Sequence, residues 1–147
     1  MADHLHKQIR AALVIALTGL ATTGARVWAN RLRPMQDADL PGLRIFLDDE
    51  DAEGLLIHSP EMYERKLAIV VEAVAKATSA LDDTLDLISK EVEIALATGL
   101  TVAGRSLEVF YTGMQFTDEQ LDKPVGIKRM TFTLTFTAMA DTPDVLT

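Results

Sequence analysis

Apolar and polar positions alternate along this chain with two distinct periods. Near the amino terminus Leu5, Ile9, Ala12, Leu13, Ala16, Leu17 and Leu20 recur at spacings of three and four, which predicts an amphipathic helix with one buried stripe. Short strands are predicted over residues 26–32 and 43–47, with Asp39-Leu40-Pro41-Gly42 as the turn between them. Over residues 63–76 the positions Tyr63, Arg65, Leu67, Ile69, Val71, Ala73 and Ala75 share one face. That alternation predicts a strand buried mainly on one side, although a helix fits the same stretch. Leu81, Leu85, Ile88, Val92, Ala95 and Leu96 then trace a helical stripe that stops at Gly99, with Ser79 as N-cap and Asp82 as the capping-box acid.

Two long strands, residues 107–116 and 127–138, close the chain as a hairpin around the polar turn 117–124. In the second, Met130, Phe132, Leu134 and Phe136 lie on one face and Arg129, Thr131, Thr133, Thr135 and Thr137 on the other. A one-residue slip would exchange the two sets, so burial of the first fixes the register. The order helix, three strands, helix, two strands predicts an α+β fold, a mostly antiparallel sheet with two α-helices packed on one face. The opposite face, with its threonines, is expected to stay open for assembly or to line a lumen. Residues 1–140 read as one domain, and 141–147, lacking any period, as a loose tail.

Composition narrows the function. The 147 residues carry 14 Lys and Arg against 22 Asp and Glu, a net charge of −8, so the chain repels a phosphate backbone and tight nucleic-acid binding is not expected. With no cysteine there is no disulfide, thiolate metal site or thiol nucleophile. Lys7 and Arg10 before the apolar stretch 11–17, with Val27-Trp28-Ala29 beyond, imitate an export signal, but Asp3 and the polar residues 18–26 spoil the imitation. The apolar run is also too short to span a bilayer.

Candidate chemistry is sparse. Gly104-Arg105-Ser106 begins like a nucleophile elbow but lacks its closing glycine, and His4, His6 and His58 lie outside the elements that would position a base. His4 and His6, two residues apart on a helix start, are expected to be solvated and not to share a metal. Asp82, Asp83 or Asp86 could serve as a general base in a small hydrolase, but they share the polar face of a helix. Asp49, Asp51 and Glu53, with Gly54 following, occupy early places of a calcium-loop pattern whose twelfth place is Pro60. No cofactor is expected. Leu55, Leu56 and Ile57 stand in a row in the same acidic loop, and Met114 and Phe116 near the hairpin tip. Covering each is worth roughly 1.5–3 kcal/mol, so these five are the expected contact residues, unless the first three fold back as a short extra strand.

The run Arg31-Leu32-Arg33-Pro34, followed by Asp37-Ala38-Asp39-Leu40-Pro41-Gly42-Leu43-Arg44-Ile45-Phe46-Leu47, resembles the corresponding region of lambda-type phage tail terminators, the minor tail protein U family. The later order of long strand, helix and closing hairpin is similar too, so the resemblance spans nearly the whole chain. The loop 48–62 departs from it. The resemblance implies a virion protein, made in the host cytoplasm, that forms a hexameric ring of identical copies. Such a ring caps the tail tube, stops its polymerisation, offers a surface to a head-completion or connector protein, and lets DNA pass through its lumen ungripped. It implies no enzymatic activity, no cofactor and no membrane partner. Two other classes remain open on the residues alone: the small hydrolase, and an exported binding protein.

Overall fold

The computed structural model describes residues 2–30, 34–56, 59–120 and 124–147. Helix α1 (Leu5–Leu17) is followed by the two-residue strand β1 (Val27–Trp28), a short 3-10 turn at Asp37–Asp39, and strands β2 (Gly42–Gly54) and β3 (Met62–Lys76). Helix α2 (Leu81–Leu96) leads to the small strands β4 (Leu100–Val102) and β5 (Arg105–Leu107), then to β6 (Val109–Gln120) and β7 (Pro124–Met139). The main sheet runs β1-β2-β3-β7-β6, antiparallel except for the β1–β2 pair, and β4–β5 form a separate ribbon. The fold is α+β, as the alternation predicts, with one parallel pair added.

Both helices lie on one face of the sheet, α1 against β1, β2 and β4, and α2 against β3 and β7. Leu5, Ile9, Leu13 and Leu17 of α1 and Leu85, Ile88, Val92 and Leu96 of α2 join Leu67, Ile69 and Val71 of β3 and the even positions 130–138 of β7 in a single core. The 3.6-residue and two-residue periods therefore meet on one surface. Gly99, at φ +94°, closes α2 as expected, its N–H donating to Leu96.

Several expectations need correction. Strand 26–32 is limited to Val27 and Trp28 among the described residues, which do not include 31–33. The acidic stretch read as a loop is strand: β2 continues through Asp51, Glu53 and Gly54, paired to Lys66, Glu64 and Tyr63 of β3. The α2 N-cap is Ala80, without a side-chain cap, so Ser79 makes no capping box. The ribbon β4–β5 was not foreseen. Its turn has Ala103 at φ +50° and Gly104 at φ +78°, the left-handed pair that a tight two-residue hairpin demands. The tail is not loose: the Leu5 N–H donates to Pro143, the Thr147 N–H donates to Thr137, and Leu146 enters the core.

The second sheet face is half covered. Met35 lies over Val74, Val125 and Ile127, with Trp28 and Leu40 packed beside them. Beyond this lid Thr131, Thr133, Thr135 and Thr137 are part-buried and pair with Val70, Ala68, Lys66 and Glu64 of β3.

Candidate functional site

Among the described residues, four of the exposed large apolar side chains, Phe110, Tyr111, Met114 and Phe116, gather on the edge strand β6. Its length follows from pairing with β7 along the whole span Val109–Gln120, and among the described residues no strand flanks its outer side. A β-bulge between Tyr111 and Gly113 changes the side-chain alternation. Before it Tyr111 pairs with Phe132 and meets it ring edge to face, centroids 5.6 Å apart; after it Met114 pairs with Met130 and Phe116 with Lys128. The bulge thus brings Tyr111, Met114 and Phe116 onto the helix-side face of β6, while Phe110, opposite Thr133, points to the other face.

Helix α2 sits over β3 and β7 and leaves this strip uncovered: Tyr111, Met114 and Phe116 are 46%, 50% and 46% exposed. At the Phe116 end the strip opens into a cleft of about 680 Å³ that reaches Leu81, Asp118 and Pro124. Lys128, the cross-strand partner of Phe116, is paired with Asp86 of α2 at 3.0 Å, and 72% of the Asp86 side chain is in water.

Of the five expected contact residues, Met114 and Phe116 therefore fall on one surface. Leu55 (45% exposed) and the part-buried Leu56 stand at the far end of β2, on the opposite side of the sheet, and Ile57 lies outside the described residues. The structure does not bring the two groups together. It adds Tyr111, which the sequence pattern did not single out because a bulge cannot be read from alternation, and Phe110.

The calcium-loop candidates Asp49, Asp51 and Glu53 sit on an extended strand, which cannot wrap an ion as a loop does. Among the described residues no group of three or more His, Asp or Glu side chains is placed to hold a metal. Asp82, Asp83 and Asp86 are exposed on α2, and the cleft beside Phe116 does not include them. His58 lies outside the described residues.

His4 is exposed, as expected, and His6 is part-buried, but both are also engaged in hydrogen bonds. His4 caps α1, its Nδ1 accepting the His6 backbone N–H at 3.0 Å. The His6 ring Nε2 meets Glu50 Oε1 at 2.9 Å, and Arg65 Nη2 donates to Glu50 Oε2 at 2.8 Å. Burial raises the Glu50 pKa, but the hydrogen bonds from Arg65 and His6, and their charges, outweigh it and hold the carboxyl below its ordinary value. Burial lowers the His4 pKa, helped by His6 and Arg65. These groups fasten α1 to β2 and β3.

The sequence matches no protein-family profile and no curated protein. The fold is similar to a chain in the virion of a native gene transfer agent particle, at TM-score 0.46 and 18% identity, over 90% of this chain and 91% of that one. Among the described residues no helix is long and apolar enough to cross a membrane.

Proposed function

We propose that this chain is a structural subunit of a phage-type particle, a tail terminator whose copies form a ring on the end of the tail tube. The observation that carries the reading is the β6 strip, three half-exposed large apolar side chains on a sheet edge that no strand among the described residues flanks. Full burial of such side chains is worth roughly 1.5–3 kcal/mol each, a gain left unrealised in the isolated copy. Edge strands of this length and apolarity are ordinarily blunted by charge, and residues 109–117 carry none. The resemblance of residues 31–47 to lambda-type tail terminators supplies the kind of particle, and the α+β order agrees with it.

On this reading the chain carries out no catalysis. Its partners are further copies of itself, the tube protein on one side and a head-completion or connector protein on the other. DNA passes through the ring without being held, because a subunit of net charge −8 releases no counterions from a polyanion and so does not retain it. The test is polymerisation of tail-tube protein in the presence of the chain, read as tube length by electron microscopy. Capping gives short tubes with a density at one end; tubes of unchanged length and bare ends would refute the reading.

A further inference from the structure

The main sheet has two outer edges, and they differ in charge. At one, residues 109–117 of β6 carry none; at the other, the outer half of β2 carries Asp48, Asp49, Glu50, Asp51 and Glu53. Each strand has one bulge, between Tyr111 and Gly113 and between Leu47 and Glu50, so bulging does not set the edges apart. Strand β1 pairs with β2 at Leu43 and Arg44, and among the described residues no strand lies along the outer side of residues 48–54. The backbone N–H and C=O groups along such an edge are a template for one more strand.

Cross-strand partners share a sheet face. Ala52 and Gly54 pair with Arg65 and Tyr63, odd positions of β3 like the core residues Leu67 and Ile69, and so lie on the helix side; Asp51 and Glu53 pair with Lys66 and Glu64 and lie on the other. On β6 the helix side carries the bulky Tyr111, Met114 and Phe116, and Gln115, opposite Arg129, lies on the other. Laid side by side, the two edges set large side chains against small ones on the helix side. On the other side they set Asp51 and Glu53 against uncharged residues.

Like charges directly opposite destabilise a strand pair, so the outer half of β2 repels a second copy of itself, whereas β6 offers it a neighbour without acids. Strand sense agrees. β2, β3, β7 and β6 alternate in direction, so β6 of one copy meets β2 of a copy turned about a ring axis in the antiparallel sense. β6 against β6 would close on two copies and could not continue into a ring. Resting on the ring reading above, we infer that the outer edge of β6 in each copy pairs with residues 48–54 of β2 in the next, carrying the sheet across the subunit boundary. Leu55 and Leu56, which follow β2, then come beside the neighbour's β6, and the two groups of apolar residues that lie apart within one copy meet between copies.

The absence of cysteine permits a direct trap. Single-cysteine variants Ala52→Cys and Met114→Cys, both at exposed positions, are mixed in solution and on tail tubes and oxidised with copper phenanthroline, and covalent dimer is quantified on denaturing gels. Tyr111→Cys and Phe116→Cys in place of Met114→Cys cover the neighbouring registers. For one of these pairings the contact predicts at least about tenfold more dimer in the mixture than in either variant alone, a ratio that a modest binding preference suffices to give. A mixture of Ala52→Cys with Ile94→Cys, exposed on α2, serves as the control and stays uncross-linked. In the cysteine background Gln115→Lys raises the yield several-fold and Gln115→Glu lowers it, because the acids of β2 lie opposite. Three results overturn the inference: no mixed cross-link under either condition, charge effects of the opposite sign, or as much dimer from Met114→Cys alone, which would mean β6 pairing with β6. Short, capped tubes without the mixed cross-link would sink this contact and leave the ring reading standing; the cross-link without capping would do the reverse.

Discussion

Glu50 sits where α1, β2 and β3 meet, its carboxylate shared between His6 and Arg65, with only 17% of its side chain exposed. A charge-assisted pair this far out of water loses more when one partner is neutralised than an exposed pair does. Glu50→Gln is therefore expected to lower unfolding stability by about 1–3 kcal/mol in urea titration. The folded carboxyl has a pKa below its unfolded value of 4.5, so its contribution is complete above that value and is lost as pH falls through the folded one. His4, also lowered in the fold from 6.5, acts in the same direction at higher pH: the unfolded chain takes up the proton first. The urea midpoint should fall on acidification through both windows, and the Glu50→Gln variant should lack most of the lower one. A midpoint that rises on acidification would contradict this. None of the cluster was legible beforehand, because residues 50 and 65 converge through strand pairing and His6 through the packing of α1 on the sheet, and no local spacing announces them.

At the scale of elements, what could be read depended on whether local pattern and tertiary pairing agreed. Both helices and the β6–β7 hairpin were legible because a clean period on each matches the face it buries. The outer half of β2 was not: five acids in residues 48–53 read as a solvated loop, and it is the pairing of Glu50, Asp51 and Glu53 with β3 that makes this stretch strand. The β4–β5 ribbon was hidden by its brevity and by Ala103, which lacks the usual preference for a left-handed turn. Holding Ala103 at φ +50° costs on the order of 1 kcal/mol. Ala103→Asn, giving the Asn-Gly pair that such turns favour, should raise stability by roughly 0.5–1 kcal/mol, seen as a higher melting temperature. An unchanged or lower value would speak against the turn described. Leu146 tests the packed tail in the same way. Leu146→Ala removes a side chain that is 9% exposed and should cost about 2 kcal/mol, where a loose tail would register nothing.

For the molecule as a whole, the α+β order was legible and so was half of the candidate surface, Met114 and Phe116. The other half depended on the bulge that turns Tyr111 to the same side and on the two-edged sheet that separates β6 from β2. A surface built for neighbours is separable from stability. Met114→Glu should leave the urea midpoint within about 0.5 kcal/mol of the parent, as exposed substitutions do, and yet abolish tube capping. A loss of both together would indicate that Met114 serves the fold alone. The most direct measurement is the mass of the particle by light scattering, taken on the chain alone and again with tail tubes present. The account predicts copies accumulating on tubes as a closed ring of fixed number, whether or not the free chain has already assembled. A chain that stays monomeric and never joins tubes at any concentration would contradict it.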